Sequence, residues 1–285
     1  MRVVTRALTA LSSVAGIVTI ALAQSGQAQL AWVDRAGSVE RIGPLPRGTF
    51  APRLSPDARQ VAFDTGDGTI WIADLAKLES PRRFAAGRYP MWSADGRRLL
   101  FAGQDGMRLF WQSVDGSGMP EMIAEDARAP EHWSAPAQLL TYITLKGNGD
   151  YDIWAFSPAD RKTRPIVEVP TSAQMSSRIS PDGGWVAYEA NETGAFEVYI
   201  EPLPRTGTRT RVTNGGGQRP VWSPNGREIF FDRENTLYAV SVPTTSRTEI
   251  GTPTKLPISG FIQGTGRRLW DVSPDGTRFL VMLPQ

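Results

Sequence analysis

Six copies of one short unit punctuate this chain, and their spacing restricts its fold more than any other feature. The units are LSPDARQVAF from Leu54, WSADGRRLLF from Trp92, WSAPAQLLTY from Trp133, ISPDGGWVAY from Ile179, WSPNGREIFF from Trp222 and VSPDGTRFLV from Val272. Their serines fall at positions 55, 93, 134, 180, 223 and 273, so the period runs 38, 41, 46, 43 and 50 residues. Repeats of about 40–50 residues built from short apolar runs are the sequence signature of a β-propeller.

The physics of the unit is local. Proline pre-sets φ for the second position of a type I turn, Asp or Asn suits the third, and Gly tolerates the positive φ that follows. The blade turns are therefore assigned to Ser55, Pro56 and Asp57; Ser93, Asp95 and Gly96; Ser180, Pro181, Asp182 and Gly183; Ser223, Pro224, Asn225 and Gly226; and Ser273, Pro274, Asp275 and Gly276. Ser134-Ala135-Pro136 is a degenerate copy. Their recurrence in successive units gives these residues a structural role. The apolar runs that follow, such as Val61-Ala62-Phe63, are short enough for strands buried on both faces.

A second element pairs an aliphatic with an aromatic residue: Ile70-Trp71, Leu109-Phe110, Ile153-Trp154, Val198-Tyr199 and Leu237-Tyr238. Polar turns separate it from the first, which is hairpin chemistry. A more polar run follows, as in Arg209–Thr213, and suits an outer edge strand. Four strands make one blade. The last unit, ending in Phe279–Leu283, lacks its second half, while Ala31-Trp32-Val33 and Ser38–Ile42 have no first half. Joining them completes a sixth blade and closes the ring, which leaves only short, protected edges. The expectation is an all-β, six-bladed propeller of four antiparallel strands per blade over residues 29–285. Its last blade is closed by N-terminal strands, and the chain stops where the ring is complete.

These units resemble the WD40-like PD40 repeats of TolB-type six-bladed propellers over about residues 30–285. The stretch SPDGGWVAYEANETGAFEVYIEPLP with GGGQRPVWSPNGREIFF is also similar to the extracytoplasmic propeller region of some bacterial receptor-like serine/threonine kinases. No kinase motif set accompanies it: Ala129-Pro130-Glu131 stands without its companions. The resemblance implies a stand-alone sensor or scaffold and carries over no catalytic residue.

Composition narrows the function classes. The chain has 31 basic and 29 acidic residues, a net charge of +2, which does not suit a dedicated nucleic-acid surface. It has no cysteine, hence no disulfide framework and no thiolate metal site. Residues 1–28, with Arg2 and Arg6 before an uncharged run from Ala7 to Ala23, have the layout of a signal peptide, with an uncleaved anchor as the alternative.

Candidate chemistry is sparse. His132 is the only histidine, and it reads as a surface or turn residue rather than a catalytic base. Asp64 with Asp67, and Asp150 with Asp152, read as turn residues rather than a calcium loop. Asn214–Gly217 has no helix after it and reads as a link between blades. Arg82, Arg83, Arg97 and Arg98 read as a solvated face, and the aromatics at one per unit as inter-blade packing. The expectation is a periplasmic or secreted, non-catalytic scaffold, monomeric and without cofactor, that binds a protein or peptide of the cell envelope. No nucleic acid partner is expected, and membrane contact only through an uncleaved N-terminal segment. The alternative is an extracytoplasmic hydrolase or dehydrogenase with a metal in the channel.

Overall fold

A computed structural model describes residues 27–243, 249–264 and 266–285. The signal-peptide segment therefore lies almost wholly outside the described residues. Twenty-four strands group into six four-stranded antiparallel sheets. Blade 1 consists of Thr49–Leu54, Gln60–Thr65, Thr69–Asp74 and Arg82–Ala86, with one 3-10 turn at Leu75–Lys77. Blade 2 is Arg88–Trp92, Arg98–Ala102, Arg108–Ser113 and Glu121–Glu125. Blade 3 is Ala127–Ser134, Leu139–Leu145, Tyr151–Ser157 and Lys162–Val167. Blade 4 is Gln174–Ile179, Trp185–Ala190, Glu197–Pro202 and Thr210–Arg211. Blade 5 is Gln218–Trp222, Glu228–Arg233, Thr236–Ser241 and Thr254–Ser259.

Blade 6 takes Trp270–Val272 and Arg278–Pro284 from the C-terminal end and Ala28–Asp34 and Val39–Pro44 from the N-terminal end. The seam is an unbroken antiparallel ladder from Ala28 opposite Pro284 to Asp34 opposite Arg278. The fold is thus the six-bladed all-β propeller that the repeat predicts.

The apolar core divides into six clusters, and each lies at a junction between two blades. Trp32, Leu280 and Met282 of blade 6 pack with Val61 and Phe63 of blade 1. Ile70 and Ile72 meet Leu99 and Phe101 across the next junction, and Leu100 and Leu109 meet Leu140 and Phe156 across the one after. The remaining three junctions are built in the same way. The once-per-blade aromatics belong to these clusters, Tyr199 within one and Trp71, Phe110, Trp154 and Tyr238 packed against others. Because each sheet buries both faces against neighbours, stability comes from a closed cycle of interfaces.

The recurring turns lie on one face of the ring. In each, the Ser hydroxyl donates to the Asp or Asn carboxyl or amide oxygen two residues on, at 2.6 Å in Ser55, Ser93 and Ser273 and 2.8 Å in Ser223. The same hydroxyl accepts the amide N–H five residues later, for example Glu228 N–H at 2.9 Å from Ser223 Oγ. Ser180 bonds Asp182 and accepts Trp185 N–H in the same way. Ser134 keeps only a 3.2 Å bond from Ala137 N–H.

The glycines also have a second use. A Cβ on Gly276, at φ +73°, would sit 2.8 Å from Pro224 of the preceding blade's turn, and one on Gly183 3.2 Å from Pro136. Pro and Gly of neighbouring turns therefore interlock.

Candidate functional site: the arginine-lined channel

Each blade's first strand faces the axis, and five of the six carry a β-bulge just before the turn. Register shifts fall between Phe50 and Arg53, Arg88 and Met91, Pro130 and His132, Met175 and Arg178, and Gln218 and Val221. Ala51, Tyr89, Ser176 and Arg219 at these bulges have φ between 47° and 58°. Such bulges bend a strand, leave an amide out of the ladder and re-aim a side chain.

The freed amides are met by carboxylates of the preceding blade. Tyr89 N–H donates to Asp64 at 3.2 Å, Ser176 N–H to Glu131 at 2.5 Å and Arg219 N–H to Glu189 at 2.7 Å. Asp64 and Glu189 occupy the same place in their blades, nine residues after the turn serine. Between blades 2 and 3 both partners are missing together: that place is Ala102, and the bulge residue is Pro130, which has no N–H to satisfy. Burial pushes the Asp64 and Glu189 carboxyls up to about 7, and the N–H bonds offset this only in part. Asp64 is therefore a buried fastener between blades, not a hairpin-turn residue. It lies apart in role from Asp67, which caps its own turn by accepting from Thr65 and Thr69.

His132 also departs from expectation. It lies inside the first strand of blade 3, half-buried on the channel wall, not in a surface turn. Its Nδ1 accepts Ile179 N–H of blade 4 at 3.0 Å, which requires the neutral ring with its proton on Nε2. Burial, then the Arg178 and Arg268 charges, push it down to about 3. Asp271 does the matching task at the junction from blade 6 to blade 1, accepting Leu54 N–H at 3.0 Å. Trp92 and Trp222 indole N–H groups fasten two further junctions, each donating at 3.0 Å to the carbonyls of Arg53 and Arg178.

What remains on the channel wall is basic. A cavity of about 20 Å³ is lined by Arg53, Arg178, Arg219, Arg267 and Arg268, with Glu131 and Ser176. Arg219 is spoken for by a buried ion pair with Asp232. Arg267 reaches across the axis, its guanidinium 4.6 Å from the Tyr89 ring centroid and 3.9 Å from Glu131, and narrows the end of the channel away from the turns.

Arg53 and Arg178 have no carboxylate within ion-pair distance among the described residues; their guanidinium groups donate to carbonyls, Arg53 to Pro52 at 2.7 Å and Arg268 at 2.9 Å. Burial and the adjoining Arg268 and Arg267 charges push Arg53 down to about 9, and burial with the Arg268 and Arg53 charges puts Arg178 well below its ordinary value. A guanidinium stays charged at neutral pH, so these shifts mark an unrelieved positive potential.

On the turn side the channel widens into a mouth of about 240 Å³ that includes Met91, Trp92, Trp133 and Val221 above Arg53, Arg178 and Arg268. A broader groove of about 810 Å³, with Arg97, Arg98 and Asp115 on its walls, runs between blades 2 and 3. Arg98 stacks on Trp111 at 4.5 Å, and Arg82 donates to Val114 carbonyl at 2.7 Å.

The other acidic and glycine-rich segments are occupied by their own chain. Lys146 Nζ sits 2.8 Å from Asp152, where a cation would have to bind. Gly215 and Gly216 N–H groups cradle Glu197 at 2.8 and 2.9 Å. Among the described residues, no group of three or more His, Cys, Asp or Glu is placed to hold a metal ion, and no helix is long and apolar enough to cross a membrane.

Known proteins place this architecture. No protein-family model matches the sequence. The chain is 28% identical over 163 residues to an uncharacterized protein of Agrobacterium fabrum, a match covering 55% of this chain and 53% of that protein. The chain thus spans about half the length of that curated relative. Among solved structures, a candidate TolB from Agrobacterium tumefaciens superposes with a TM-score of 0.72 at 17% identity, covering 91% of this chain and 99% of that one. The chain has the TolB-like six-bladed propeller fold. TolB from Acinetobacter baumannii gives a TM-score of 0.58 at 17% identity, over 92% of this chain and 64% of that one. An oligogalacturonate lyase solved with manganese gives 0.57 at 14% identity, over 87% and 80%. At these identities the likeness is one of fold.

Sequence reasoning located the turns and missed the channel. Reading the residue two before each turn serine gives Arg53, Met91, His132, Arg178, Val221 and Asp271. Four polar or charged residues at one place of the repeat would have pointed to the axis.

Proposed function

We propose that this chain is an extracytoplasmic binding module that recognises a protein or peptide partner at the turn-side mouth of its channel, and that it is not an enzyme. The observation that carries this reading is the occupation of the channel's acids and its imidazole. Asp64, Glu131, Glu189, Asp271 and His132 accept N–H groups of the following blade. A general base must be within reach of a substrate proton, and these groups hold the ring instead. The closed propeller is a stiff frame on which loops and the mouth carry recognition. The likeness in fold to TolB structures and the signal-peptide layout of residues 1–28 support a periplasmic or secreted location.

The test is in-cell photocrosslinking from Ala94 and Val221 at the mouth, with Val39 on the outer edge strand as control. A discrete protein adduct in the envelope fraction from the mouth positions alone supports the reading. Turnover of a small molecule with no adduct from either mouth position overturns it.

A further inference from the structure

The channel cavity contains a polar group that the chain itself leaves unanswered. Arg268 is 6% exposed, and its Nε and Nη1 are buried without a hydrogen-bond partner among the described residues. Its Nη2 is engaged with Asp271 at 3.0 Å, and the Trp270 ring lies 5.3 Å from the guanidinium carbon. Leaving buried donors of a charged group unpaired is costly, and in a native fold such a group calls for a partner from outside the chain or another explanation.

Arg53 stands beside Arg268, joined to its carbonyl, and Arg178 lines the same cavity. The acid lining it, Glu131, is already committed to the N–H groups of Ser176 and Ser177 at 2.5 and 2.7 Å. The pocket therefore holds more cationic donors than its acids answer: Asp271 meets Arg268 through one nitrogen only, and Arg53 and Arg178 have no carboxylate within ion-pair distance among the described residues.

Its size selects the ligand. A volume of about 20 Å³ holds about one or two water-sized groups. A planar two-oxygen head matches the fork of a guanidinium, whereas a tetrahedral phosphate brings more oxygens than this space takes. The wider mouth, with Met91, Val221 and Trp92, has room for an apolar body behind that head.

We propose that this cavity is a carboxylate site, in which Arg268, with Arg53 and Arg178 beside it, receives a carboxylate group that enters through the turn-side mouth. The site stands on the channel geometry alone; only the idea that the carboxylate is a peptide C-terminus rests on the binding-module reading.

Calorimetric titration of the full chain with acetate, N-acetyl-leucine and N-acetyl-leucinamide tests it, with Trp92 and Trp133 fluorescence as a second readout. Both carboxylates are expected to bind and the amide to fail. Arg268→Gln should weaken carboxylate binding at least tenfold, and Arg83→Gln on the exposed edge strand should leave it unchanged. If circular dichroism shows that Arg268→Gln is unfolded, Arg53→Gln is read in its place, with at least a threefold loss expected. Binding of acetate without N-acetyl-leucine keeps the carboxylate site and removes the peptide terminus. No carboxylate binding to the wild type, equal binding of the amide, or equal binding in the folded arginine variant overturns the proposal.

Discussion

Two positions where the first strand of every blade runs into its turn, only two residues apart, behave in opposite ways. The turn serine recurs in all six blades, and five copies make the same pair of hydrogen bonds. Two residues earlier the chain carries Arg53, Met91, His132, Arg178, Val221 and Asp271, no two neighbours alike. The serine lies where each blade meets the same geometric problem, a tight turn that must interlock with the next turn around the ring. The earlier residue faces the axis, where six different blades converge and no two need the same side chain. Repetition therefore marks the frame, and variation within a repeat marks the surface free to acquire a task.

The sharpest way to break this contrast is to open the ring. Deleting Leu30 to Ile42 removes the two outer strands of blade 6 and leaves Arg278–Pro284 as an unpaired edge. Two of the six apolar junctions lose members, since Leu30 and Trp32 belong to one and Ala31 and Val33 to the other. Urea unfolding should lose its single cooperative transition or shift to far lower urea. A truncated chain that unfolds like the full one would show that closure does not hold the frame.

The second test asks whether the channel acids are fasteners. Asp64 titrates near 7 in the fold against the ordinary carboxylate range in the unfolded chain. Its contribution is full below about pH 4 and is lost as pH rises through 7, because only the unfolded chain releases the proton in that window. Asn at this position keeps an acceptor for Tyr89 N–H and does not titrate. Asp64→Asn should therefore gain on the wild type by on the order of 4 kcal/mol between pH 4 and 8, read as the difference of two urea curves. Taking the difference cancels Glu189, which acts in the same direction, and His132, which is depressed and loses stability as pH falls from about 6.5 to 3. A flat difference would remove Asp64 from the fastening role.

The third test stays on the turns. Gly276→Ala should cost about 1–2 kcal/mol, from a left-handed φ and a Cβ that would meet Pro224 at 2.8 Å. Thermal unfolding reads it. Gly106→Ala serves as reference, since its φ is +63° but nothing lies within 4 Å of the added Cβ. Equal losses in the two would mean that the interlock between turns contributes nothing beyond backbone strain.

The sequence shows the frame and hides the channel for a physical reason. Turn chemistry and apolar runs are local, so the six units can be read one by one, and the orphan halves at the two ends point to each other. The arginines come from positions 53, 178, 219, 267 and 268 and meet only because the ring closes. Asp64 looks like one more turn aspartate beside Asp67 until its partner, Tyr89 of the next blade, is placed. His132 looks like a loop residue because Pro130 precedes it by two, yet that proline sits at a bulge where no N–H is needed. Contacts across a blade junction leave no local trace.

The smallest expected effect is the most telling for the opening contrast. Val221→Thr replaces a half-buried channel residue with one of nearly equal shape, at a place where the other blades carry Arg, Met, His or Asp. Val221 packs only partly against the blade 5–6 cluster and also lines the mouth, where the new hydroxyl can meet water, so unfolding free energy should change by less than about 1 kcal/mol. The same exchange at Val186, fully buried in the second strand of blade 4, places a hydroxyl inside a junction and should cost on the order of 1–3 kcal/mol. If the two variants lose equal stability, the axis is as constrained as the frame, and variation at this place would no longer mark a surface open to recognition.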